Sequence, residues 1–234
     1  MNSDEMKVKA AQKAMDYVQN GMKLGLGTGS TAAKFVDLLG AAVADGLEVI
    51  CVPTSEATRE QAAGLNIPLT TLEETPFLDV TVDGADELDE HLRLVKGGGG
   101  ALLREKIVAT SSSRMVVIAD DSKYVETLGE FPLPIEVVQF GLKSSLMMIE
   151  NFSERVGCTG DIKQRMKEDG SPFITDNGNF ILDCHFGRIK KPEALSGALT
   201  QVPGVVENGL FLGIADVAIV AGQEGITLLE VSSS

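Results

Sequence analysis

The sequence predicts an α/β protein: a doubly wound (Rossmann-like), mostly parallel sheet, with a ferredoxin-like α+β unit inserted before its last strands. Three observations carry this expectation. Between residues 22 and 120, short β-rich runs alternate with helical segments, the order that a parallel sheet covered on both faces requires. Pro132 and Pro134 then interrupt the alternation and mark a linker. Beyond them the order becomes β-α-β-β-α-β, that of the ferredoxin-like motif. The expected division assigns residues 1–130 and 208–234 to the parallel-sheet domain and 131–207 to the α+β domain.

The elements follow in order. Val8, Ala11, Met15 and Val18 recur at helical spacing, with Asn20-Gly21 as a stop. "MKLGLGTGSTAAKFVDLL" reads as strand, glycine turn and helix. "LEVICV" (47–52) is a strand, and "SEATREQAAGL" a helix capped by Ser55. "DVTV" (79–82) and "LRLV" (92–95) are strands, "ALLREKIVAT" a helix, and "RMVVIAD" (114–120) a strand. The inserted unit reads as strand 135–139, helix 142–152, a strand near 172–175, a turn at Asn177-Gly178, strand 179–185, a helix near 192–201 and a strand near 204–207. "ADVAIVAGQEGITLLEV" supplies two strands that return to the first domain.

Composition narrows the function. A net charge of −14 over 234 residues repels nucleic acid and anionic lipid. No run is long and apolar enough to span a bilayer, and the charged start lacks a signal-peptide core, so neither a nucleic-acid nor a membrane partner is expected. Cys51, Cys158 and Cys184 are too few and too scattered for a disulfide framework, which points to reduced thiols and a cytoplasmic location. With only His91 and His185 as histidines, no four-ligand zinc site assembles, and no metal is expected.

"GLGTGSTAAKF" (25–35) places glycines where a strand meets a helix. Helix-start N–H groups, with the hydroxyls of Ser30 and Thr31, suit a phosphate monoester. The turn lacks the Gly-Lys-Ser/Thr of a Walker loop and the third glycine of the dinucleotide fingerprint. A helix cap by Ser30, with glycines serving only a tight turn, is the competing reading.

"DVTVDGADELDEHLRLVKGGGG" (79–100) concentrates the chemistry. Asp83 and Asp86 follow a strand at its carboxyl end, where open α/β sheets bind ligands. An Asp-Gly turn with solvated acids explains them equally. Lys96 ends the next strand, and the glycines after it precede a helix, so their N–H groups can form an oxyanion nest. Glu105 falls among Ala101, Leu102, Val108 and Ala109; a carboxylate with apolar neighbours is desolvated and a better base, although an acid in an early helical turn also complements the helix dipole.

"GLGTGST", "VDGADE", "KGGGGALLREKI", "IADDSK", "GEFPLPIEV", "TDNGNFILD" and "PGVVENGLF" occur in that order along the whole chain, which closely resembles the ribose-5-phosphate isomerase A family. The resemblance implies reversible conversion of D-ribose 5-phosphate to D-ribulose 5-phosphate in the non-oxidative pentose phosphate pathway, without a metal or organic cofactor, by a homodimer or homotetramer. It makes Glu105 the proton acceptor, with Thr28, Gly29, Ser30, Thr31, Asp83, Gly84, Ala85, Asp86, Lys96, Gly97, Gly98, Gly99 and Lys123 as substrate-binding positions. Chemistry agrees: an enediolate needs stabilisation where charge develops, available from Lys96 and the glycine N–H groups. Asp83 and Asp86 are candidates for ring opening, and Lys123 with the 28–31 turn for the phosphate.

Two rivals remain at this stage. A sugar-phosphate sensor of a transcriptional regulator would need a DNA-binding unit that a single N-terminal helix does not supply. A nicotinamide-dependent oxidoreductase would use Glu48 for ribose, but that residue starts its strand rather than ending it.

Overall fold

The computed structural model describes residues 2–231; Met1 and residues 232–234, the extreme ends of the expected parallel-sheet domain, lie outside the described residues. In chain order the elements are α1 (Ser3–Ala14), β1 (Lys23–Leu26), α2 (Ser30–Ala44), β2 (Ile50–Pro53), α3 (Glu56–Gly64), β3 (Val80–Gly84), β4 (Glu87–Leu88), β5 (Leu94–Val95), α4 (Leu102–Thr110), β6 (Met115–Asp120), β7 (Leu133–Val137), α5 (Leu142–Arg155), β8 (Asp161–Gln164), β9 (Phe180–His185), α6 (Pro192–Leu199), β10 (Val205–Asn208), β11 (Leu210–Phe211), β12 (Val217–Gly222) and β13 (Gly225–Glu230).

A six-stranded sheet runs β13-β12-β6-β3-β1-β2, parallel except for the edge strand β13. The period-two alternation of a strand sorts its side chains. Val80, Val82, Val116, Ile118, Val217 and Ile219 pack on one face against Met6, Ala10 and Ala14 of α1 and Phe35, Val36 and Leu39 of α2. The opposite residues of β6 and β12, Met115, Val117, Ala218 and Val220, meet Leu88, Leu94, Ala109 and Phe211. The second face is therefore covered by α4 and a small antiparallel sheet, β11-β5-β4, rather than by helices alone. The run 92–95, expected as a strand of the main sheet, belongs to this small sheet. Only Leu94 and Val95 are extended, because Leu92 turns the chain with a φ of 56°.

The α+β unit forms an antiparallel sheet of order β10-β7-β9-β8, packed on α5 and α6 around Ile135, Ile149, Leu182 and Leu195. Its second strand is Asp161–Gln164, not the segment near 172–175, where only Pro172 makes an isolated bridge to Met166. Residues 161–164 alternate exposed and half-buried positions, so they lack the apolar signature that marks a core strand. The last two strands do return to the main sheet, with β12 beside β6.

Ile118 is fully buried in the central strand β6, whereas Leu228 on β13 is 44% exposed. Ile118→Ala is expected to cost about 2–5 kcal/mol, and Leu228→Ala less than about 1 kcal/mol. Urea unfolding monitored by circular dichroism tests the contrast; equal losses would contradict this account of the core.

Candidate active site

Strand period decides where the first carboxylate goes. Val80 and Val82 face α1 and α2, so Thr81 and Asp83 face α4. Asp83 is completely buried there. Its Oδ1 accepts from the N–H groups of Gly84 (2.7 Å) and Thr28 (3.1 Å). The approach demands glycine at position 27: a Cβ there would lie 2.1 Å from Asp83 Oδ1 and 2.6 Å from the Asp83 Cα. Gly27 thus brings β1 against the aspartate rather than against a ligand.

Lys96 follows β5, and its ammonium is buried between two carboxylates. Nζ lies 3.0 Å from Asp83 Oδ2 and 3.0 Å from Glu105 Oε1, and it donates to the Gly84 carbonyl at 2.6 Å. Two of the three ammonium protons are hydrogen-bonded, to Glu105 and Gly84. The Asp83 contact is an ion pair without the alignment of a hydrogen bond, since Oδ2 has no hydrogen-bond partner. Burial alone would lower the lysine, but the Asp83 and Glu105 charges outweigh it and hold the ammonium protonated.

Glu105 lies in the first turn of α4 and is 3% exposed. Burial pushes its carboxyl up, to about 8, against the opposing pull of Lys96 and with help from the Asp83 charge. Burial likewise raises Asp83, again opposed by Lys96. Glu105 Oε1 is held by Lys96, while Oε2 has no partner among the described residues.

These groups border a cleft of about 130 Å³ lined by Lys7, Thr28, Gly29, Ser30, Thr31, Gly84, Ala85, Asp86, Lys96, Gly97, Gly98, Gly99, Glu105 and Lys123. A larger hollow of about 530 Å³ beside the β12–β13 hairpin gathers no comparable buried charges, so size does not identify the site. Every substrate-binding position expected from sequence lines the cleft except Asp83, which stands behind Lys96. Asp86 is at the wall, and its Oδ2 accepts from the Gly98 N–H at 2.7 Å. Ser30 is the first residue of α2, not its cap; Gly29 precedes it with a φ of 112° and no side-chain cap bond.

Sequence reasoning missed Lys7. It belongs to α1, far along the chain from every glycine motif, and only the packing of α1 beside β6 brings it to the cleft. Asp120 at the end of β6 ties the region together: it accepts from Ser3 of α1 at 3.1 Å and from the Ser122 N–H in the turn carrying Lys123. Among the described residues, no group of three or more His, Cys, Asp or Glu is arranged to hold a metal.

The model of the family described as ribose 5-phosphate isomerase A (phosphoriboisomerase A) matches residues 50–225. The chain belongs to that family. Ribose-5-phosphate isomerase A of Parvibaculum lavamentivorans is 58% identical over 98% of this chain and 100% of that protein. The Methylorubrum extorquens protein of the same name is 59% identical over 97% of this chain and 96% of its own. Among solved structures, ribose 5-phosphate isomerase from Plasmodium falciparum superposes with a TM-score of 0.92 at 39% identity, covering 98% of this chain and all of that one. A D-ribose-5-phosphate isomerase in complex with phospho-erythronic acid superposes with a TM-score of 0.91 at 40% identity, covering 99% of this chain and all of that one.

Removing the lysine charge leaves two buried carboxylates without a counter-ion. Lys96→Met is expected to cost about 3–5 kcal/mol near pH 8. Much of that loss should be recovered as the pH falls toward about 4, because burial raises both carboxyls and a protonated carboxyl needs no cation. Urea unfolding at the two pH values measures this; a pH-independent loss would mean the penalty is packing rather than charge.

Proposed function

We infer that this protein interconverts D-ribose 5-phosphate and D-ribulose 5-phosphate through an enediolate, as expected of the non-oxidative pentose phosphate pathway. The observation that carries the reading is Glu105: a buried carboxylate at the cleft wall, held by Lys96 through one oxygen and unpartnered at the other. Burial that raises its pKa makes it a stronger base once ionised. Oε2 takes the proton from C2 and returns it to C1.

The rest of the cleft fits the remaining tasks. Charge developing on the enediolate is met by the field of the Lys96 ammonium and by N–H groups of the glycine turn. Asp86 at the wall is the nearer candidate for proton exchange during ring opening, while Asp83 acts through Lys96. Lys7, Lys123 and the N-terminus of α2, with Ser30 and Thr31, suit the phosphate. Holding the phosphate at one end fixes the reacting carbons at the other. The relative in complex with phospho-erythronic acid supports this: such a ligand pairs a phosphate with a carboxylate whose two oxygens resemble those of an enediolate. No cofactor enters these steps. The same reading includes a homodimer or homotetramer. It also includes a cytoplasmic location, which three buried free thiols suit.

Incubation with ribose 5-phosphate in deuterated water, without added cofactor, is expected to yield ribulose 5-phosphate carrying deuterium at C1, read by NMR early in the reaction. Glu105→Gln should lower turnover by about a hundredfold or more. Near-normal turnover of that variant, or product with all the original C2 hydrogen retained at C1, would overturn the mechanism.

The pH dependence has a definite sign. Only ionised Glu105 accepts a proton, so kcat/KM should rise with pH through about 8 and level off above it. A limb centred at the ordinary glutamate value instead would place the base elsewhere.

A further inference from the structure

The glycine turn is gripped from the α+β side. Arg165, just beyond β8, donates through Nη1 to the carbonyls of Gly97 (2.8 Å) and Gly98 (3.0 Å). The opposite edge of the guanidinium forms a two-pronged pair with Asp183 of β9, Nε to Oδ2 at 2.9 Å and Nη2 to Oδ1 at 2.6 Å. The Phe173 ring lies 5.8 Å from the guanidinium carbon and packs on Gly100, where a Cβ would come within 2.4 Å of it. Arg165 and Asp183 retain only 15% and 20% side-chain exposure, so the pair is shielded and geometrically fixed.

The direction of the grip matters. Among the described residues there is no cis peptide bond, and in a trans peptide the N–H points opposite to its carbonyl. Fixing the Gly97 carbonyl aims the Gly98 N–H away from Arg165, and that N–H donates to Asp86. Fixing the Gly98 carbonyl aims the Gly99 N–H the same way. Gly99 lines the cleft, and no protein acceptor of its N–H is found among the described residues. This N–H is a free donor for a developing oxyanion.

We propose that Arg165 is a positioning residue for the isomerisation, holding the Gly97–Gly99 peptides so that the Gly99 N–H faces the reacting oxygens. The inference rests on the isomerase reading. It assigns the α+β unit a part in the chemistry, through a residue that does not border the cleft. Displacing a catalytic donor by an ångström costs on the order of a hundredfold, and Arg is suited to the task because its fork engages both carbonyls and Asp183 together.

The test compares Arg165→Met and Arg165→Lys with the wild type. Arg165→Met should lower kcat by about 10–100-fold with KM for ribose 5-phosphate within about threefold. Affinity for phospho-erythronic acid should fall in step with kcat/KM, while competition by inorganic phosphate stays unchanged. Low-millimolar guanidinium should restore part of the lost kcat. If Arg165→Met does not fold, Arg165→Lys carries the test: it keeps the charge but cannot span both partners, and kcat should still fall about tenfold. Unchanged kcat in the folded variant, or a loss confined to KM, would overturn the proposal. A wild type that does not isomerise ribose 5-phosphate would instead sink the functional reading and this one with it.

Discussion

An ammonium enclosed by two carboxylates is the constraint around which this protein is arranged. Lys96 lies 3.0 Å from both Asp83 and Glu105, and all three are almost wholly buried. Each ion removed from water costs several kcal/mol, and mutual attraction offsets that only when geometry is good. The fold supplies the geometry from three directions. Strand β3 presents Asp83 on the face opposite Val80 and Val82, the small sheet presents Lys96, and α4 presents Glu105. Loss of any one element leaves an uncompensated charge, so the cluster couples the two faces of the second layer.

The cluster also sets its two carboxylates apart. Asp83 has one oxygen held by two N–H groups and the other in an ion pair with Lys96, whereas Glu105 has one oxygen held by Lys96 and the other unpartnered among the described residues. Burial raises both carboxyls, and Lys96 opposes the rise in both. What separates them is access. Glu105 borders the cleft and Asp83 does not. The lysine is held protonated throughout and contributes a fixed positive field.

Around this centre the two sheets act together. Lys7 of α1 and Lys123 beyond β6 both line the cleft, and Asp120 links their segments. The α+β unit reaches the glycine turn and α4 through Arg165, Phe173 and the turn near Asn177. Arg104, next to Glu105 on α4, donates to Asn177 Oδ1 at 3.0 Å and to the Asp176 carbonyl at 3.1 Å. Glu136, fully buried in β7, receives Thr175, Asn177 and Asn179 on one oxygen and so fixes that turn. Helix α4 and the glycine turn are therefore braced by polar contacts from the same unit.

Local chemistry was legible in the chain itself. Short, largely apolar runs marked β1, β3, β6 and β12, because burial on two faces demands them. Asp83, Asp86, Lys96 and the glycines stand close in sequence, so a shared site could be read there without knowing distances. Other features carried no local signal. Strand β8 has a single apolar residue, Ile162, and pairs along the edge that β9 offers it. Leu94 and Val95 look like sheet strand, yet a turn at Leu92 diverts them. Lys7 resembles any helix-surface lysine, and Arg165 any charged strand end, until packing closes distances that sequence separation hides. Residue type and periodicity determined which segments would be strands, turns and acids; tertiary packing alone decided that Asp83 would stand behind the lysine and Glu105 in front of it, because desolvation and hydrogen-bond access belong to three-dimensional neighbours rather than to the chain.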